Sequence, residues 1–179
     1  MIGLNALFWM FVLLFAVIGS LRGWAKEILV SFAAILSLFL ISVLESFVPF
    51  IRDTLAANPD TPIFWMRTLI MGALVFFGYQ TPNIPKISGT NKFARDKLQD
   101  VLLGFFLGAI NAFFIWGSVW YYLHDVGYPF EVINPPIEGS SVYQATLELL
   151  PYLPPAWIGP PIIYFAIGIA FAFVLVVFL

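Results

Sequence analysis

Residues 20–30 read SLRGWAKEILV, and the fold turns on how that stretch is taken. Arg22, Lys26 and Glu27 place three charges within six residues, inside an otherwise almost unbroken apolar run from Ile2 to Ile51. One continuous helix of that length would reach about 75 Å, whereas the hydrocarbon core of a bilayer is about 30 Å thick. The run therefore has to fold back on itself. An Arg or Lys at the centre of a membrane helix costs roughly 2.5–3.5 kcal/mol on insertion scales. A bend over residues 22–27 carries all three charges to the membrane interface and removes that cost. Gly23 can take the left-handed conformation that ends a helix. Arg22 complements the negative end of the first helix and Glu27 the positive start of the second. Trp24 suits the headgroup belt.

The composition agrees with a lipid solvent. Of 179 residues, 61% are hydrophobic and 10% charged, with a mean hydropathy of +0.96. A soluble domain is about 45–50% apolar and about 25% charged. The net charge of -2 argues against a nucleic-acid partner, which would need clustered excess Lys and Arg. With no cysteine, disulfides, thiol chemistry and Cys-ligated metals are excluded. The apolar run Ile2–Leu21 exceeds the usual signal-peptide core of about 7–15 residues and is read as a retained span.

The expected architecture is an all-α, polytopic bundle of four to five transmembrane helices in one domain, 1–179. The spans are placed at about 2–21, 28–48, 63–79, 101–123 and 160–179. Span two ends near Pro49, and the polar connector RDTLAANPDTP (52–62) follows, with Thr61 as N-cap and Pro62 at the first helical position. Pro82 and Pro85 stop span three, Asn91 caps an amphipathic turn, and that turn leads into span four. The 124–159 segment lacks Lys and Arg and holds a short interfacial helix, SSVYQATLELL (140–150), with capping-box spacing at Ser141 and Gln144 and a stop at Pro151. The fifth run is barely long enough for a crossing. Basic residues gather on two connections (Arg22, Lys26, Lys86, Lys92, Arg95, Lys97), against Arg52 and Arg67 on the opposite side. The positive-inside rule then puts the N-terminus outside, 22–27 and 81–100 in the cytoplasm, and 124–159 outside.

Two motifs occur together: GSLRGWAKEIL (19–29), between spans one and two, and LQDVLLGFFLGAINAFFIWG (98–117). This pairing resembles the colicin V production (CvpA-like) family of bacterial inner-membrane proteins. The resemblance covers about residues 1–123 and, more loosely, 140–154. It rests on Arg22, Gly23 and Glu27 of an RG-x-x-x-E turn and on Asp100, Gly104 and Gly108 of a D-x-x-x-G-x-x-x-G run. It implies four membrane spans and an envelope or secretion-related role without catalytic residues. The chain departs from it at Asn5, where the family often carries an acid, and in its added fifth apolar run.

Among individual residues, Gly104, Gly108, Asn111 and Ala112 share one face of span four. Small residues at this spacing allow close backbone approach, and Asn111 could hydrogen-bond across. The face serves either self-association or, the plainer reading, packing against the chain's own spans. Asn5, Glu45, Arg67 and His124 fall at similar depth and could form an outer-leaflet polar cluster, lining a small-molecule or proton site or simply holding a structural Glu45–Arg67 ion pair. A salt bridge between Glu45 and Arg67 is expected. His124, the one histidine, could ligate a metal or pigment but reads more plainly as an end-of-helix residue. Lys92, Arg95 and Lys97 could hold anionic lipid or merely set the topology.

No phosphate loop, metalloprotease or nucleophile-elbow motif is present. No catalytic residue, metal or cofactor is assigned, although lipid or pigment contact is compatible with 18% aromatic residues. The leading expectation is a non-enzymatic membrane protein of the CvpA-like kind, acting through helix contacts with itself or with other membrane-protein subunits. The alternatives are an accessory subunit of a respiratory or photosynthetic complex and a channel or carrier.

Overall fold

The computed structural model describes residues 3–57, 59–80, 94–131, 133 and 135–178. Lys86, Lys92, Pro82, Pro85, the proposed cap Asn91 and the side chain of Arg95 lie outside what is described.

Four helices are long and apolar enough to cross a membrane. They are α1 (Leu4–Arg22), α2 (Trp24–Phe47), α3 (Thr61–Tyr79) and α4 (Ala94–Asp125). Three shorter helices follow: α5 (Ser141–Leu149), α6 (Pro154–Trp157) and α7 (Ile162–Phe178). The architecture is an all-α bundle, and the chain is a multi-pass membrane protein by the length and composition of its helices.

The reversal between α1 and α2 is tighter than the sequence suggested. A single residue, Gly23, makes it, at φ 86°. Its amide donates to the Gly19 carbonyl at 2.9 Å and closes α1. The second span therefore starts at Trp24 rather than Ile28, and Lys26 and Glu27 lie in its first turn. That turn is stabilised from another helix: the Trp24 amide donates to Asp100 Oδ1 at 3.1 Å. An acceptor here satisfies one of the free amides at a helix start and favours its positive end.

α2 is the central helix and packs against α1, α3, α4 and α7. Its inward stripe, Val30, Ala34, Leu38 and Ile41, joins Phe64, Met71 and Val75 of α3 with Ile115, Tyr122 and Leu123 of α4 in one core. The most extensive pair is α1 with α4. There, Cβ atoms on Gly104 or Gly19 would collide with each other's backbone carbonyls, and a Cβ on Gly108 would collide with that of Phe15. The helices touch main chain to main chain, and that closeness requires glycine.

The caps of α3 and α5 each lie one residue before where the sequence put them. Asp60, not Thr61, caps α3: its carboxylate accepts from the Thr61 amide at 2.6 Å. Ser140, not Ser141, caps α5, accepting from the Tyr143 amide at 3.1 Å. In both cases an adjacent capping residue competes, and the one just before the first helical φ/ψ wins. The stretch after Pro49 is not a plain polar connector, since Ile51–Ala56 forms a π-helical turn. On it Arg52 and Asp53 pair at 2.7 Å in the open, and the bond from Arg52 holds the Asp53 carboxyl below the usual range. The α5–α6 segment folds back onto the bundle through Leu150 and Leu153, which cluster with Phe8 and Trp120. α7 has 17 residues, or about 26 Å, slightly short of a crossing. It runs antiparallel to α2, with Tyr164 beside Phe39 and Phe171 beside Phe32.

Candidate functional site

The charged bend is where structure and sequence differ most usefully. Glu27 does not point outward: in the first turn of α2 it is fully buried within the bundle. It lies on the same face as Ser31, Ala34, Leu38 and Ile41, four-, seven-, eleven- and fourteen-residue steps along the stripe that α2 turns to the core. Burying a carboxylate is costly unless it is paired and hydrogen-bonded. Here both conditions hold. Arg22 Nη1 contacts Glu27 Oε1 at 2.9 Å, and Asn111 Nδ2 donates to Glu27 Oε2 at 2.8 Å. The same Asn111 amide also donates to the Glu27 carbonyl at 2.9 Å, and Ser31 Oγ donates to Asn111 Oδ1 at 2.6 Å. Arg22 in turn donates to the Tyr79 carbonyl at the end of α3 and lies 4.2 Å from the centroid of its ring.

The motif residues Arg22, Gly23, Glu27, Asp100, Gly104 and Gly108 thus meet in one place. Asp100 caps α2, and a Cβ on Gly23 would sit 2.8 Å from its Oδ1. Gly104 and Gly108 seat α4 against α1, which brings Asn111, one turn further on, to Glu27. The Gly104, Gly108, Asn111 and Ala112 face is buried against α1 and α2. The packing alternative describes it; as a self-association face it is not accessible. The site ties four helices, and because Gly23 touches Asp100, residues 22–27 and the start of α4 share one end of the bundle.

At the opposite end the expected Glu45–Arg67 contact is present, Nε to Oε1 at 2.6 Å. The third member is Asp125, at 2.6 Å from Arg67 Nη1, rather than His124. Neighbouring residues on a helix point about 100° apart, so only one of this pair can face Arg67. Arg67 also lies 5.2 Å from the Tyr122 ring centroid. Asn5 and His124 do not join. Asn5 Oδ1 is buried without a hydrogen-bond partner, and His124 Nδ1 sits 3.3 Å from the Tyr128 hydroxyl, whose pKa burial pushes up. The Arg67 triad lines a cavity of about 420 Å³ with Ser42, Ser46 and Tyr121. Sequence reasoning missed Asp125 and Ser31. Ser31 carried a signal, the four-residue step from Glu27. Among the described residues no three His, Asp or Glu side chains gather as a metal site.

In both sites the arginine is paired within the protein, Arg22 with Glu27 and Arg67 with Glu45 and Asp125, an arrangement suited to fixing helices in the membrane. No family model matches the chain, nor does any curated protein or solved structure.

Proposed function

We propose that this chain is a non-enzymatic inner-membrane protein of the CvpA-like kind, a scaffold acting through helix contacts in envelope or secretion-related assembly. One observation carries the reading. Two motifs about 75 residues apart in sequence converge on a single buried network, Arg22–Glu27–Asn111, clamped by Gly104 and Gly108 and capped by Asp100. A network whose charged groups are already paired suits a rigid anchor better than a reaction centre. Its partners would be other membrane subunits or further copies of itself. They would meet surfaces the bundle leaves open, such as Val101, Leu102, Phe106 and Ile110 on α4 and Phe165 and Ile169 on α7. In this reading the N-terminus and 124–159 lie outside and the Gly23 end faces the cytoplasm, where the basic residues gather.

The test is purification of the tagged full chain in mild detergent, followed by identification of stoichiometric partners. Recovery with envelope or secretion proteins, or as a defined homo-oligomer, supports the proposal. Recovery as a fixed subunit of a cofactor-bearing respiratory or photosynthetic complex would replace it with the accessory-subunit reading. Solute flux through liposomes holding the pure chain alone would replace it with a carrier.

A further inference from the structure

The cavity at the Glu45–Arg67–Asp125 end of the bundle holds about 420 Å³, within the usual range for small-molecule sites of about 300–1,000 Å³. One wall is a single face of α2, on which Leu38, Ile41, Ser42, Glu45 and Ser46 recur at three-, four-, seven- and eight-residue steps. That face changes character along its length, from apolar at Leu38 and Ile41 to polar over Ser42, Glu45 and Ser46. α3 contributes Arg67, and α4 contributes Tyr121 and Asp125. The linker between α6 and α7 closes another side through Ile158, Gly159 and Pro160.

The charges here do not balance. Two carboxylates meet one guanidinium, which leaves a surplus of one formal negative charge, and no other Lys or Arg lines the cavity. The surplus is also within reach. The Arg67 side chain is 10% exposed, whereas those of Glu45 and Asp125 are 24% and 34% exposed. Arg67 donates to Oε1 of Glu45 and to Oδ2 of Asp125, so each carboxylate keeps a second oxygen to offer. Ser42 and Ser46 add hydroxyls, which can accept as well as donate. They differ from Ser20, Ser31, Ser37 and Ser118, each of which donates back to a carbonyl three or four residues earlier. Among the described residues, neither Ser42 nor Ser46 donates to a protein acceptor.

These features restrict the ligand. A partly buried excess of negative charge calls for a cation. Ca²⁺ or Mg²⁺ takes six or more oxygen ligands, and two carboxylates already shared with Arg67 are a poor set for either. A primary ammonium carries three N–H donors, and the second oxygens of Glu45 and Asp125 with one serine hydroxyl supply three acceptors. Tyr121, partly exposed in the lining, offers a ring face to the same cation. The apolar stretch of wall, Leu38, Ile41 and Ile158, suits a short hydrocarbon stem. We propose that the Glu45–Arg67–Asp125 cavity binds a primary alkylammonium group, carried by a free amine or by the aminoethyl headgroup of a lipid, with Glu45 and Asp125 accepting its hydrogen bonds. This is independent of the family reading above.

The test uses the full chain in phosphatidylcholine nanodiscs, with radiolabelled butylammonium as probe and scintillation proximity as readout. Saturable binding is expected for the natural chain. Asp125→Asn cancels the surplus charge and should weaken the probe about tenfold or more, whereas Asp125→Glu keeps the charge and should stay within about threefold of the natural chain. Ala56→Trp adds bulk to the lining without touching the triad and should weaken the probe about threefold or more. Melting curves without probe separate loss of the site from loss of the fold, and if Asp125→Asn melts early, Ala56→Trp and Asp125→Glu carry the test. Nanodiscs containing phosphatidylethanolamine assign the source: weaker probe binding there makes the natural occupant a lipid headgroup, and equal binding makes it a free amine. Equal affinity for the natural chain and Asp125→Asn would overturn the proposal. So would displacement by butan-1-ol at matching concentration, since charge would then not be what is recognised. Displacement by potassium chloride at matching concentration would overturn it in favour of an inorganic cation.

Discussion

Asn111→Leu is the sharpest single perturbation of the buried network. Leucine keeps the branched shape but has bulkier ends, so the change removes the hydrogen bonds and adds some overpacking at a fully buried site. Three are lost: two from Nδ2 to Glu27, at 2.8 and 2.9 Å, and one accepted from Ser31 at 2.6 Å. Interhelical hydrogen bonds in membranes average about 0.6 kcal/mol, with a maximum near 1.7, so the three together contribute about 2 kcal/mol. A further term comes from Glu27, which keeps Arg22 but loses half of its satisfaction. Removing one partner of a buried charge costs about 3–5 kcal/mol where no other partner remains, and Arg22 limits the loss here to a fraction of that. The expected total is about 2–4 kcal/mol. Reversible unfolding in mixed micelles, titrated with SDS and followed by tryptophan fluorescence, would measure it. Ser31→Ala, which removes only one of the three bonds, should cost about 0.6 kcal/mol by the same average. In a double-mutant cycle, Glu27→Gln and Asn111→Leu should be non-additive by about 1 kcal/mol or more, because they share one contact. If Asn111→Leu falls within about 0.5 kcal/mol of the natural chain, the network does not hold the helices together and the reasoning fails.

Three other perturbations separate the remaining contacts. Gly104→Ala and Gly108→Ala should each cost about 1–3 kcal/mol, because the new methyl meets backbone that cannot swing aside, whereas Gly72→Ala, facing open space, should be neutral or slightly stabilising. In the same unfolding assay, Asp100→Leu should lose about 1 kcal/mol, the usual value of a helix-start acceptor, and Asp100→Asn much less. Arg67→Met strands two acids while Asp125→Asn leaves the Glu45 pair in place, so the first should be the more destabilising by at least about 1 kcal/mol, and equal losses would mean the triad is not coupled.

The fold was legible because hydrophobic run length and bilayer thickness leave few options. The Ile2–Ile51 run had to reverse, and Arg22–Glu27 was the one place to do it. Glu45 and Arg67 could be paired by counting depth from that bend, and Gly104 and Gly108 announced a close contact by spacing. What the sequence concealed was direction. Treating every charge as a marker of the interface put Glu27 in the headgroups, although its four- and seven-residue steps to Ser31 and Ala34 lie on the stripe that faces α4. A pattern of depth cannot choose between His124 and Asp125, which differ by one residue in depth but by about 100° in azimuth. The same limit applied to Asp60 against Thr61 and Ser140 against Ser141.

The account rests on lipid surrounding the bundle with the Gly23 turn and the start of α4 at one end. Its most direct test is single-cysteine labelling in sealed vesicles, for which a chain without natural cysteine gives no background. Lys26→Cys and Lys97→Cys should react with an impermeant thiol reagent from one and the same side, and Asp53→Cys and Glu138→Cys from the other. Labelling of Lys26→Cys and Lys97→Cys from opposite sides would contradict the account.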